Sequence, residues 1–282
     1  MVERRPWLTA FSHLSVLVCI ALLALPIYIT FVASTTTMDE IIHPPLPLIP
    51  GDRLIENYLE ALTRGVTQAS STPVALMMWN SLVMAVVIAV GKIAISLLSA
   101  YAIVYFRFPF RMLCFWTIFV TLMLPVEVRI LPTYKVVADL GLLNSYAGLT
   151  VPLIASATAT FLFRQFFLTV PDELIEAARI DGAGPWKFFK DILLPLSLTN
   201  IAALFVILFI YGWNQYLWPL LVTTEAEMTT VVIGINQMIA PGEDQTNWPV
   251  VMATTMLAML PPVFVVVVMQ RLFIKGLIET EK

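Results

Sequence analysis

Charged residues are scarce in this sequence of 282 residues, of which only 12% are Asp, Glu, Lys or Arg while 59% are hydrophobic. A soluble domain normally carries about 25% charged residues. The composition therefore argues for a protein whose main solvent is lipid. The formal net charge is −3 and no block of basic residues occurs, which argues against nucleic acid as a partner.

Cysteine and histidine are almost absent, with two residues of each. Cys19 and Cys114 lie in separate apolar runs and form no C-x-x-C pair, so we expect both to be small buried hydrophobic residues. His13 and His43 are far apart and lack ligand-like neighbours, so a metal site has no support. Without a Ser–His or Asp–Asp pair in the membrane or an H-E-x-x-H motif, an intramembrane enzyme is disfavoured, and we predict no catalytic residue.

Long apolar runs are the dominant positive feature. A bilayer core of about 30 Å requires roughly 20 apolar residues of helix, and six such runs predict an all-α, polytopic membrane protein that forms a single transmembrane domain over residues 1–282. Arg4 and Arg5 precede the first run, which is longer than the apolar part of a signal peptide, so we expect an uncleaved anchor. The predicted spans cover residues 14–33, 80–106, 112–131, 146–167, 200–222 and 250–273.

The basic residues between these spans predict the orientation. Eleven Lys or Arg residues lie on the side of the two termini and four on the other side. The positive-inside rule then places both termini in the cytoplasm. The outward loop at residues 223–249 contains four acidic residues and no Lys or Arg.

A helix–glycine–helix pattern occupies the predicted cytoplasmic loop at residues 170–197. Pro171, with acidic residues after it, favours a helix start, and Gly182 favours a left-handed turn at the helix end. A second short helix is predicted from Pro185 to Leu193. The pattern alone is also compatible with an amphipathic connector lying on the membrane.

The spacing of identities in this loop resembles the EAA loop of permease subunits in binding-protein-dependent ABC importers. The segment Tyr211–Pro219 resembles the maltose G-subunit kind of permease. Stretches such as Thr121–Ile130 and Ala155–Phe167 resemble the second permease subunits of bacterial sn-glycerol-3-phosphate importers, whereas the likeness weakens at residues 46–73 and 225–247. The residues that match the EAA pattern are Glu176, Ala177, Ala178, Gly182, Ile192, Leu194 and Pro195.

The resemblance implies a function and a set of partners. The chain would form part of the path for sn-glycerol-3-phosphate, and its diesters, in an ATP-driven importer of the bacterial inner membrane; a sugar or glycoside is the alternative substrate. The EAA loop would be a coupling helix in a groove of an ATP-binding subunit, where Glu176 would meet a basic residue or else pair locally with Arg179. The implied partners are a second permease subunit, an ATP-binding subunit dimer, a periplasmic substrate-binding protein and the lipid bilayer.

Cofactor binding is not expected on this chain, since no G-x-x-x-x-G-K-[ST] motif occurs. The resemblance places ATP and Mg in the partner ATPase. A secondary transporter would need no such partner, but the sequence has no inverted-repeat signal and no charged relay across several spans.

Polar residues inside the predicted spans are candidates for the translocation path, because ionisable groups are costly in lipid. Lys92 would attract an anion, or else pair with a neighbouring residue. Asn214 and Gln215 lie in the fifth predicted span, where Asn214 would line the path or hydrogen-bond another helix. Glu127 and Arg129, near the outer end of the third span, are expected to form an ion pair with each other or with another subunit rather than to contact substrate.

Overall fold

The computed structural model describes residues 6–45, 47–64, 72–121, 124, 126–239 and 246–279. These residues form helices, turns and bends and no strands, which confirms the all-α class. The α-helices in chain order are α1 (Pro6–Ser34), α2 (Met38–Ile42), α3 (Leu54–Arg64), α4 (Val74–Tyr105), α5 (Arg111–Val120), α6 (Val126–Asp139), α7 (Tyr146–Thr150), α8 (Ala157–Phe167), α9 (Asp172–Ile180), α10 (Pro185–Phe188), α11 (Leu194–Leu196), α12 (Leu198–Trp213), α13 (Leu217–Val222), α14 (Val231–Met238) and α15 (Trp248–Glu279).

The chain divides into two compact units, one of residues 1–76 and 234–259 and one of residues 77–233 and 260–282. In the first unit, polar side chains tie α3 to the end of α1. Asn57 Nδ2 donates to the Ser34 carbonyl at 2.9 Å and to the Thr36 carbonyl at 3.0 Å. The first bond satisfies a carbonyl group that the end of α1 leaves without a helical partner, and the second satisfies a carbonyl group in the turn that follows.

In the second unit, α4 packs closely against α12 and α8. A Cβ at Gly212 of α12 would lie 2.8 Å from the Ala85 Cα of α4, so only glycine permits this approach. Against α8, the Thr160 hydroxyl donates to the Ser96 hydroxyl at 3.2 Å. Small residues and hydroxyl pairs are the usual means of helix association in a membrane.

Three helices are long and apolar enough to cross a membrane: residues Trp7–Ser34 in α1, Val74–Tyr105 in α4 and Trp248–Gln270 in α15. They coincide with the first, second and sixth predicted spans. Apolar side chains point away from the protein along them, and Leu23 of α1 is 75% exposed. Such a surface is stable in lipid and not in water.

The third predicted span is wrong as a single helix. Over residues 112–131, α5 ends at Val120 and α6 begins at Val126. Leu124 lies in a bend, and it precedes Pro125 in the sequence, which disfavours the helical conformation of the residue before it.

The fourth predicted span, residues 146–167, is a bent pair of helices. The segment Tyr146–Leu153, which includes the 3₁₀ turn Val151–Leu153, meets α8 at an angle of 48°. Ser156 caps α8 by accepting the Ala159 N–H at 3.3 Å, so the chain restarts a helix after the break.

The fifth predicted span, residues 200–222, is also interrupted, because α12 ends at Trp213 and α13 begins at Leu217. Pro219 has no N–H to donate to the Gln215 carbonyl, and its ring would clash there in a continuous helix. A second bent pair joins Pro185–Leu196 to Leu198–Trp213 at an angle of 69°. In the described residues, length and composition support three spans, or up to five if each of the two bent pairs crosses once. The predicted count of six is not confirmed.

The prediction for the cysteines is wrong. Cys19 in α1 and Cys114 in α5 are both exposed. In a membrane protein an apolar run faces lipid as readily as a protein core, so an apolar neighbourhood in sequence does not establish burial in the protein.

Candidate functional site

The EAA-like loop begins with α9, whose C-terminal end is closed by a Schellman motif. The Ala183 N–H donates to the Ala178 carbonyl at 2.8 Å and the Gly182 N–H to the Arg179 carbonyl at 3.1 Å. Gly182 has φ of 69°, which confirms the predicted left-handed turn. Pro171 is the N-cap of α9 rather than its first helical residue.

The two faces of α9 differ in exposure. Ala178 is buried, with 5% of its surface exposed, whereas Ile180 is 85% exposed. The residues beside them that are also exposed are Glu176, Ala177 and Arg179. Glu176 forms no ion pair in the part of the chain that the structure describes, so the local pair with Arg179 is not formed. The helix thus presents an apolar residue and both signs of charge away from its own subunit.

The second half of the loop is one continuous helical stretch. α10 passes into a π-helical turn at Phe189–Leu193 and then into α11. The Leu194 N–H bonds to the Phe189 carbonyl, five residues back. Pro195 cannot donate the next helical bond, and the wider turn precedes it. Ile192 and Leu194 are partly exposed and Pro195 is exposed.

An aromatic anchor, composed of Tyr101, Tyr105, Phe188 and Phe189, joins this stretch to α4. The Tyr101 hydroxyl donates to the Pro185 carbonyl at 2.7 Å, and its ring centroid lies 5.0 Å from that of Phe189. The Tyr105 ring lies 5.4 Å from Phe188. Each aromatic pair is worth about 0.5–1.5 kcal/mol beyond its burial.

Sequence reasoning missed the anchor, although two tyrosines four residues apart in the last turn of α4 mark one helix face. The Tyr105 hydroxyl also donates to the Phe167 carbonyl at 3.2 Å. The anchor therefore contacts α4, the end of α8 and the second half of the EAA-like loop. A displacement of the loop would therefore move the side chains that contact α4 directly.

Lys92 lies near the middle of α4 and is buried, with 8% of its surface exposed. Its Nζ lies 3.9 Å from the centroid of the Tyr211 ring in α12. A cation at this distance is attracted by the ring quadrupole. No carboxylate among the described residues forms an ion pair with it.

The Lys92 side chain lines a cavity of about 600 Å³. Arg129 of α6 and Tyr211 line the same cavity, and both also line a second cavity of about 340 Å³ together with Gln215. Two of the three predicted path residues, Lys92 and Gln215, thus face cavities that share walls.

Asn214 is exposed and lines neither of these two cavities. Arg129 lines both cavities, and its expected ion pair with Glu127 or with another subunit stays a prediction. The side chain of Glu127 lies outside the described residues. Nothing local in the sequence places Arg129 on this cavity, because the other lining residues come mainly from α4, α5, α8 and α12.

The described residues contain no group of three His, Cys, Asp or Glu side chains that could hold a metal ion. Most of the wall of the larger cavity is apolar, and its polar part carries positive charge, from Lys92 and Arg129, and hydroxyl groups. Such walls are suited to an anionic, hydroxylated solute.

Comparison with known proteins gives similarity over the whole chain. Residues 92–279 match the family described as binding-protein-dependent transport system inner membrane component. The chain is 62% identical to proteins of Brucella melitensis and Rhizobium meliloti and 59% identical to one of Escherichia coli, over 100% of both chains in each case. All three are named sn-glycerol-3-phosphate transport system permease protein UgpE.

A solved structure is similar as well. It is described as the crystal structure of a bacterial ABC transporter involved in the import of the acidic polysaccharide alginate. The TM-score is 0.80 at 21% sequence identity, over 96% of this chain and 98% of the other. At this identity the likeness shows a shared fold.

Proposed function

We propose the function of this chain from its family: the chain belongs to the inner membrane components of binding-protein-dependent transport systems. In such a system it forms part of the translocation path for sn-glycerol-3-phosphate. The observation that carries this proposal is the 62% identity, over 100% of both chains, to permeases named for that substrate.

The cavity walls favour this substrate over a sugar or glycoside. Lys92 and Arg129 bring two positive charges to one cavity, and the burial of Lys92 is costly for an unpaired charge unless a ligand compensates it. A phosphate ester carries about −1.5 to −2 charges at pH 7, whereas a neutral sugar carries none. Lys92 and Gln215 are the path residues that we assign from the two cavities.

The loop at residues 170–197 couples the chain to an ATPase. Ile180 and the charged residues Glu176 and Arg179 form the exposed face of α9, which suits insertion of a short helix into a groove of another protein. ATP and Mg are bound by a dimer of ATP-binding subunits. Closure of that dimer moves α9, and the aromatic anchor transmits the movement to α4, where Lys92 lies.

The remaining partners follow from the side of the membrane on which each loop lies. Both termini and α9 face the cytoplasm, where ATP is present. A periplasmic binding protein docks on the outward side, which includes the acidic residues Glu225 and Glu227. A second permease subunit completes the path.

Uptake of labelled sn-glycerol-3-phosphate tests this proposal in bacterial cells that lack their own importer for it. The chain is expressed with its partner permease, ATPase and binding protein, and it is omitted in the control. Uptake that requires the chain, and that stops when the ATPase is inactivated by mutation, is the expected result. An assembled complex that takes up a sugar and not the phosphate ester would transfer the proposal to the alternative substrate.

A further inference from the structure

The described cavities bring two cationic side chains together from helices that are far apart in sequence. Lys92 comes from the middle of α4, and Arg129 comes from the first turn of α6. Both line the cavity of about 600 Å³, whose size is within the range of small-molecule sites, about 300–1,000 Å³. Two like charges facing one space repel each other unless an anion lies between them.

Tyr211 fixes the position of one of the two charges. Its ring faces the Lys92 ammonium at 3.9 Å, and both side chains line the cavity. A ring holds a cation without neutralising it. The ammonium can therefore still donate hydrogen bonds to an incoming ligand.

Two threonine hydroxyl groups on the cavity wall can accept hydrogen bonds from a ligand, whereas the two cations can only donate them. Thr117 donates to the Leu113 carbonyl at 2.8 Å and Thr121 donates to the Ile118 carbonyl at 2.6 Å. Their single protons are used, so toward the cavity they are acceptors. The cations are thus the donors for an anionic group, and the threonines are acceptors for hydroxyl groups.

We propose that Lys92 and Arg129, with Tyr211 as the support of Lys92, form a binding site for a phosphomonoester group. Arg129 engages two phosphate oxygens with its planar guanidinium, and Lys92 engages the third as a point charge. The hydroxyl groups of the same ligand are directed to Thr117 and Thr121. This inference rests on the proposed function and assigns the specificity for a phosphate ester to this permease as well as to the binding protein.

The test compares Lys92→Gln and Arg129→Gln with a matched control, Lys135→Gln. Lys135 is exposed on α6, six residues after Arg129, and lines neither cavity. Each variant is assembled with the partner subunits, and the initial rate of sn-glycerol-3-phosphate uptake is measured at saturating binding protein. We expect a fall of about tenfold to a hundredfold for each cavity variant, the size of one lost hydrogen bond to a charged group, and no change for Lys135→Gln.

Uptake by Arg129→Gln equal to that of Lys135→Gln, with the wild type active, would overturn the site while the proposed function stands. Where Arg129→Gln does not assemble, Arg129→Lys decides, because it keeps the charge and loses the paired donors. Reduced uptake by Arg129→Lys is expected, and an undiminished rate contradicts the site.

A wild-type complex that assembles and imports no phosphate ester would refute the proposed function, and the site is then tested by binding. Radiolabelled inorganic phosphate is titrated onto the purified complex in lipid discs. Saturable binding that is lost in Arg129→Gln and kept in Lys135→Gln supports an anion site. Absent binding, or equal binding in the two variants, refutes it.

Discussion

Gly182 has a conformation that few other residues adopt, with φ of 69° and both Schellman hydrogen bonds formed around it. A β-branched residue is strained in this region, at a cost of about 1–3 kcal/mol. A side chain at this position would nevertheless have room, because a Cβ there would meet nothing within 4 Å. The constraint on Gly182 is therefore conformational and not steric, and its consequence is the angle at which the chain leaves α9.

We predict that Gly182→Val uncouples ATP hydrolysis from transport, because the strained turn redirects α9, which on our proposal lies in a groove of the ATPase. The matched control is Gly184→Val, since Gly184 has φ of −69° and also has nothing within 4 Å. The measurement is uptake per ATP hydrolysed by the assembled complex. Gly182→Asn, which tolerates the left-handed region, should restore much of the ratio, and a normal ratio for Gly182→Val would show that the turn has no part in coupling.

For single residues, the sequence predicts the left-handed turn at Gly182 but does not predict that Arg129 lines a cavity. The signal for Gly182 is local, since a glycine after a helical run marks a left-handed end. The place of Arg129 on the cavity walls depends on how α6 lies relative to other helices, and no spacing within α6 encodes that arrangement. Gln215 and Asn214 are adjacent in sequence, yet only Gln215 lines one of the two cavities, and hydropathy does not distinguish the two residues.

Helix breaks and the aromatic anchor are the features that matter at the scale of elements. Prolines 125, 152 and 219 each lie at or near an interruption of a predicted span. Hydropathy alone does not reveal such interruptions, because proline is tolerated within membrane helices where neighbours satisfy the freed backbone groups. Hydropathy predicted the long uninterrupted helices α1, α4 and α15, although α1 accommodates Pro26 and α15 accommodates Pro261 and Pro262.

We predict that the anchor couples the EAA-like loop to α4. Tyr101→Phe removes the bond to the Pro185 carbonyl, worth about 1 kcal/mol, and Tyr101→Ala also removes the ring contact with Phe189. Uptake per ATP hydrolysed should fall modestly in Tyr101→Phe and further in Tyr101→Ala.

The control for the anchor is Tyr134→Phe, because Tyr134 is a half-buried tyrosine of α6 outside the loop contacts. Its uptake per ATP should equal that of the wild type. If Tyr101→Ala assembles and transports with the wild-type ratio, the anchor has no part in coupling.

For the whole molecule, the sequence predicted the fold class and the protein family. Scarce charge and long apolar runs predict a polytopic all-α membrane protein, and the EAA-like spacing predicts its family, to which it belongs. The number of membrane crossings was less predictable, because the sequence of a broken helix does not indicate whether its two halves together cross the membrane once. The orientation of the termini stays a prediction from the asymmetry of basic residues.

ATP hydrolysis by a partner, on our proposal, drives this permease to import sn-glycerol-3-phosphate. The most direct measurement is accumulation of labelled substrate in liposomes that contain the permease pair and the ATPase, with the binding protein on the opposite side from ATP. We predict accumulation that requires hydrolysable ATP on the side of α9 and that persists when ionophores remove all ion gradients. Accumulation that needs no ATP and collapses with an ion gradient would contradict ATP-driven import and identify a secondary transporter.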